Sequence, residues 1–540
     1  MSKDISISVY LIAFLIFSIA ILVLELNVTM NKPVAFGDSA YHAYISKLLG
    51  TTKSFPKILD DFGSYYNYSP LFHILSSVIF MLPSSGWVLI KAVVPFMSFL
   101  AGLLAFIFIS KLYNERIAFV VSIIFLTLPM FVTYSMIIYT DVLMVLFFML
   151  SFVFVLMGEK FGNKKYWLLA FVFASLCYLS KATGFISFIF AYSILFFKFA
   201  RKEMKLKDFG MIFLVSILIF GLIVGWWWIR NYIEFKTVDC NLPMNERVFR
   251  NSECINPNDI VSQDTTDRFA GYVSSGGTNY GILQFGLNQF VTFIYGNIWL
   301  VPLLASCGIV LMIMRKERND GYVLLLFLLT LIPAIFVNVQ SSFTMRVEDV
   351  GRYMMLTSVP LALIIGLWLD TFFDTVKKFW KYLPILLMIF LMIMLWNNFY
   401  SKLLVMSQVT TFSPAFFGAC DWIRMNTDED SKFLSLWSAP TAYNCERKSE
   451  WSSDAQADMV LNQDVNVVLK AMQNRSIDYI FVQKFAISST PYVTMIPADF
   501  VNLLESNPSI FVKVYENGLS LAECSKQGGC DGSIIYKVNQ

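Results

Sequence analysis

Long apolar runs alternate along this chain with short charged connections. Runs able to cross, or nearly cross, a hydrocarbon core of about 30 Å lie roughly at 8–28, 87–110, 117–136, 141–158, 166–181, 184–200, 209–229, 290–313, 321–339, 353–370 and 382–399. The pattern predicts an all-α polytopic membrane domain over 1–400, with about eleven transmembrane helices. Five connections are short and basic: Lys111–Arg116, Glu159–Lys165, Arg201–Asp208, Arg315–Asp320 and Asp374–Lys381. Excess Lys and Arg in short loops marks the cytoplasmic side. The connections at 29–86, 137–140, 182–183, 230–289 and 340–352, and everything after 400, then face outward, with the N-terminus cytoplasmic. Pro70–Pro83 (PLFHILSSVIFMLP) is apolar too, but counting it as a crossing would invert every later basic loop. It is expected to lie at, or dip into, the outer face.

From 401 to 540 the pattern changes to that of a soluble, extracytoplasmic α/β domain. Periodicity predicts helices near 414–426, 464–474 and 497–506, with strands at 432–437, 478–483, 509–516 and 533–538.

Composition agrees. The chain has 540 residues, of which 57% are hydrophobic and 15% charged, against about a quarter charged in soluble proteins. A net charge of +3, without a basic stripe, gives no reason to expect a nucleic-acid partner. Residues 1–30 lack a small-residue cleavage site after a short apolar core, so they read as a retained first helix. Six of the eight cysteines fall in segments placed outside, in three near pairs: Cys240/Cys254, Cys420/Cys445 and Cys524/Cys530. An oxidising compartment would make these disulfides; no zinc-site spacing is present. Asn-x-Ser/Thr triplets at Asn27, Asn67 and Asn474 also fall outside.

The chemistry gathers on the outer side. Phe36–Tyr44 (FGDSAYHAY) follows the first span and sets Asp38, Tyr41, His42 and Tyr44 at a membrane face, where ionisable groups are candidates for function. The loop 29–86 holds both histidines of the chain, His42 and His73, with Asp60 and Asp61. Asp141 begins a helix in YTD, Lys181 closes one in SKATG, and Arg230 and Asn231 end another in WWWIRNY; Arg352 lies in GRY. Two readings compete for these cations. Charges at helix ends snorkel to the interface without any ligand, whereas an outer-leaflet cluster can clamp a lipid-linked phosphate. A neighbouring carboxylate can then take a proton from an incoming hydroxyl or amine. Trp226–Trp228 read as interfacial belt residues.

Five separated patches resemble the C-type membrane glycosyltransferases, in the branch of protein O-mannosyltransferases and lipid A aminoarabinose transferases that use polyprenyl-phosphate sugars. They are GDSAYHAY, YSPLFHIL at 68–75, YTD at 139–141, SKATG at 180–184 and WWWIRNY at 226–232, with GRY at 351–353 a weaker sixth. The resemblance implies an inverting transferase of the cell membrane that moves a sugar from dolichyl or undecaprenyl phosphate to a protein, lipid or glycan acceptor outside. It makes Asp38 the general base and Asp141 a second acid. Lys181, Arg230 and Arg352 would hold the donor phosphate, and Tyr41, His42, His73 and Asn231 would contact substrate. Many relatives carry Asp-Glu where this chain has Asp38-Ser39, so a second acid would come from Asp60, Asp61 or Asp141, or one acid suffices. No cofactor is expected beyond the lipid-linked co-substrate. Related oligosaccharyltransferases use a divalent metal and a Trp-Trp-Asp-Tyr-Gly motif that is missing after 400, so a metal is not expected. The alternative, a transporter or flippase for a lipid-linked or polar substrate, would predict broken helices in paired repeats and ionisable groups at mid-membrane. Here the charges cluster at helix ends.

Overall fold

A computed structural model describes residues 8–31, 37–55, 58–59, 64–65, 68–82, 86–235, 300–315, 317–340, 355–408, 413–451, 456–488, 496–521, 523 and 530–539, a few of them, Asp38 included, by backbone alone. Helices occur at each of the predicted apolar runs. In chain order they are α1 (Val9–Met30), α2 (Gly37–Thr52), α3 (Leu71–Phe80), α4 (Gly86–Leu112), α5 (Glu115–Thr127), α6 (Pro129–Ser135), α7 (Asp141–Phe161), α8 (Lys164–Ser180), α9 (Ile186–Ala200), α10 (Leu206–Phe235), α11 (Leu300–Arg315), α12 (Arg318–Gln340), α13 (Ser358–Val376) and α14 (Leu383–Gln408). Among the described residues, seven helices are long and apolar enough to cross a membrane, or eight if the bent pair α5–α6 counts as one. The expected run at 117–136 is therefore interrupted. Pro129 starts α6 after Leu128, and the two helices bend by 63°. Proline lacks the N–H that would continue the ladder.

Helix α3 has ten residues and rises only about 15 Å, too short to span. It packs against α2 and α4, in keeping with an interfacial segment.

Local signals set the turns. Asn114 caps α5 by accepting from the Ile117 N–H at 2.8 Å. Gly162 ends α7 in the left-handed conformation at φ +64, and Asn163 then caps α8 through the Lys165 N–H. Helix α7 sits at the centre, with 94% of its apolar stretch buried, whereas α10 and α14 are each only 17% buried. On α10, Leu222 is 81% exposed, as befits a lipid-facing side chain.

All five basic connections meet at one end of the bundle. Arg116 pairs with Asp370 at 2.5 Å and Asp374 at 2.9 Å; Lys164 pairs with Asp208 at 2.5 Å and Lys198 with Glu159 at 2.8 Å. Arg318 reaches both Glu159 and Glu203, and the Lys160 ammonium donates to the Leu112 carbonyl.

Beyond α14 lie α15 (Pro414–Asn426), β1 (Lys432–Ser435), α16 (Ser438–Asn444), β2 (Lys448–Glu450), α17 (Val465–Asn474), β3 (Tyr479–Gln483), α18 (Ala498–Ser506), β4 (Phe511–Gly518) and β5 (Gly532–Val538). The sheet order is β2-β1-β3-β5-β4. The first three strands run parallel, and the β3–β5 and β5–β4 pairs are antiparallel. Phe416, Ile423, Phe433, Phe481 and Ile535 fill the layer under α15, while Val468, Met472, Phe500 and Leu504 from α17 and α18 cover the other face. Alternation along β3 assigns Phe481 to one layer and Ile480 and Val482 to the other. Each predicted element of this region is present; α16 and β2 are additions. Helix α16 packs on α2, so that Ala439, Ala442 and Tyr443 join the core of the membrane helices.

Cys420 and Cys445 form the expected disulfide, tying α15 to the end of α16. Cys530 is also disulfide-bonded. Cys240, Cys254 and Cys524 lie outside the described residues.

Candidate active site

The site is built at the end of the bundle opposite the basic connections. Helix α2 begins at Gly37, so Asp38 lies in its first turn and Tyr41 and His42 follow one turn later. Packing of α2 on α3 brings the two histidines together. His42 Nδ1 is 2.8 Å from His73 Nε2, and the residues are 1% and 0% exposed. Aromatic rings surround His42: Tyr68 at 5.3 Å, Phe72 at 5.9 Å and Tyr139 at 6.0 Å between centroids, with Tyr41 against Tyr68 at 5.0 Å. Burial, and secondarily the neighbouring His42 charge, hold the His73 imidazole well below its ordinary pKa.

Tyr139 leads into Asp141, the first residue of α7. Asp141 is fully buried, and its Oδ1 lies 2.6 Å from the Lys181 Nζ. Lys181 ends α8 in extended conformation, its N–H still donating to the Cys177 carbonyl. The chain then turns sharply, and a Cβ on Gly184 would meet the Cys177 carbonyl oxygen at 2.5 Å. This is why SKATG needs its glycine. On the next side, Trp228 Nε1 donates to the Tyr178 hydroxyl at 3.0 Å, joining α10 to α8. Arg230 donates to Asn231 Oδ1 at 2.9 Å, and its guanidinium lies 4.9 Å over the Trp227 ring. Trp226 and Trp227 both touch Phe55, just beyond α2. The circuit α2, α3, α7, α8, α10 and back to α2 is closed.

Of the residues singled out from sequence, Tyr41, His42, His73, Asp141, Lys181, Arg230 and Asn231 thus share one end. Asp38 joins them by backbone position. Arg352, Asp60 and Asp61 lie outside the described residues. Trp227 departs from the belt expectation: it is buried, because it fills the joint between Phe55 and Arg230. Pairing of Asp141 with Lys181 was not visible in sequence either. Glu25 was missed altogether. It lies in α1, fully buried, and accepts from the Ser135 hydroxyl at the end of α6. Its signal was a lone carboxylate within an apolar span. Among the described residues, no three or more His, Cys, Asp or Glu side chains stand together as a metal site.

Residues 68–228 match the family model of dolichyl-phosphate-mannose-protein mannosyltransferases. No curated protein sequence matches the chain. Among solved structures, the chain resembles the apo oligosaccharyltransferase of Archaeoglobus fulgidus, at TM-score 0.62 and 11% identity over 95% of this chain and 81% of that one. It also resembles ArnT from Cupriavidus metallidurans bound to undecaprenyl phosphate, at TM-score 0.60 and 11% identity over 98% of this chain and 97% of that one. The mycobacterial arabinofuranosyltransferase AftD aligns at TM-score 0.55 and 12% identity, over 97% of this chain and 41% of that one. The family match covers less than half of the chain, and the likeness to these solved structures, at 11–12% identity, is one of fold.

Proposed function

We propose that the protein is an inverting glycosyltransferase that passes a sugar from a polyprenyl (dolichyl or undecaprenyl) phosphate to a protein, lipid or glycan acceptor on the outer membrane face. The observation that carries this reading is the convergence of the α2 turn bearing Asp38, the Asp141–Lys181 pair and the Arg230–Asn231 terminus at one end of the bundle. The basic connections occupy the other end, so the positive-inside rule orients the site outward and the N-terminus inward.

In this reading Asp38 takes the proton from the acceptor hydroxyl or amine as the acceptor attacks the anomeric carbon in line. The carbon–oxygen bond to phosphate breaks, and its electron pair leaves with the polyprenyl phosphate. Lys181 and Arg230, with Arg352 as a third candidate, stabilise that leaving charge. An ammonium carries three donors, so Lys181 can hold Asp141 and a phosphate oxygen together. Asp141 acts by fixing that ammonium in place. Tyr41 lines the approach, and His42, His73 and Asn231 lie buried behind it.

Two features weigh against the transporter alternative: the charged groups of the candidate site sit at helix ends, and the C-terminal α/β region packs onto the very helix that carries Asp38. The test is transfer by purified protein from dolichyl-phosphate mannose and undecaprenyl-phosphate aminoarabinose, with the anomeric configuration of the product read by NMR. Inversion of configuration, lost in Asp38→Asn, is expected. Retention, or undiminished transfer by Asp38→Asn, overturns the mechanism.

A further inference from the structure

The chain has only two histidines. They lie 31 residues apart, yet their ring nitrogens are 2.8 Å apart in a buried pair between α2 and α3. A contact that short between two imidazole nitrogens requires one to carry the proton and the other the lone pair. His42 is also one helical turn beyond Asp38, and positions i and i+4 share a helix face. A base that removes a proton from the acceptor must lose it again before the next turnover.

We propose that His42 and His73 form a coupled proton acceptor that clears the proton from Asp38 after each transfer. This rests on the reading of Asp38 as base. After transfer, Asp38 is a carboxylic acid. Its O–H bond breaks as an N–H bond forms on His42, and the carboxylate is restored. The new positive charge is shared with His73 through the N–H···N bond, and the proton then leaves to water. No electron changes hands. His73 is a positioning residue in this scheme: it fixes the His42 ring and its tautomer, as the orienting partner of a catalytic histidine does.

The surroundings suit the task. The titratable groups whose rings face the pair are Tyr41, Tyr68 and Tyr139, neutral at ordinary pH. Beyond Tyr139, Asp141 and Lys181 pair with each other. Burial lowers the His73 pKa, so that ring holds a proton less tightly than a free imidazole does.

The experiment compares wild type, His42→Gln, His73→Gln and Asp38→Asn as full-length protein, with whichever polyprenyl-phosphate sugar supports turnover, in buffers of rising imidazole concentration. The expected result is a fall in kcat of about tenfold or more for both His variants, with the donor KM unchanged. The loss is recovered as imidazole rises, while wild type is indifferent to it. A wild-type rate in either His variant overturns the proposal. So does a loss that imidazole does not restore, which is the outcome for a pair that merely pins α2 to α3. Zinc held by the wild type and removed together with activity by a chelator also overturns it, since the nitrogens would then be ligands. An inactive Asp38→Asn beside fully active His variants sinks the relay alone. An active Asp38→Asn sinks the base assignment, and the relay with it.

Discussion

The two ends of the helical bundle use charge differently. At the end bearing the basic connections, cations and carboxylates from separate loops pair with one another: Arg116 with Asp370 and Asp374, Lys164 with Asp208, and Arg318 with Glu159 and Glu203. Many of these groups are partly exposed, and their chemistry is complete once the loops are tied. At the opposite end the described charges of the site are more deeply placed. A fully buried Asp141 holds Lys181, Arg230 lies on the face of Trp227, and two imidazoles meet beside Tyr41, Tyr68 and Tyr139. The first arrangement fastens helices. The second keeps polar groups fixed within apolar walls, where they act strongly on a reacting charge.

Substitutions can break this contrast, and the largest effect is expected at Asp38. Asp38→Asn should reduce transfer by about 10²–10⁴-fold, the usual contribution of a general base, with the melting temperature unchanged; a radiolabelled-donor assay beside a thermal melt checks both. Next is Lys181→Ala, which takes the ammonium away from the buried Asp141 carboxylate. A loss of about 3–5 kcal/mol of stability is expected, seen as a lowered Tm. Pairing Asp141→Asn with Lys181→Met should restore the Tm but not the affinity for donor, which separates fastening from phosphate binding. A double variant that recovers donor binding would move Lys181 into the fastening class.

Arg230→Ala should raise the donor KM about tenfold, the scale of one charge-assisted hydrogen bond, measured by initial rates against donor concentration. The smallest effect belongs to the other end. Arg116→Ala should cost only about 1 kcal/mol, because its ion pairs are partly solvated, and kcat per folded molecule should be unaltered. A change in kcat there would mean that the two ends are coupled.

Much of this organisation is legible in the order of residues. Hydrophobic run length gives the helices of the bundle, and a short run of β-branched and aromatic residues gives strands such as Tyr479–Gln483. Helix α16 escaped because its seven residues, SAPTAYN, are too few to show a period, and β2 because it spans three. The break at Leu128–Pro129 was masked by continuous hydrophobicity on both sides, although the proline itself was the signal.

For the site, residue types and loop assignments marked Asp38, Asp141, Lys181 and Arg230 as candidates. Which of them touch was not readable, since hydropathy has no memory of contact between segments separated by tens of residues. The Asp141–Lys181 pair, the meeting of His42 with His73, the burial of Trp227 and the seating of Tyr443 on α2 all arise from helix packing. Sequence alone determined which segments are apolar and which connections are basic, because transfer free energy and charge add up residue by residue. The tertiary structure decided which polar groups became partners, because that depends on the shapes of side chains that bring one helix against another.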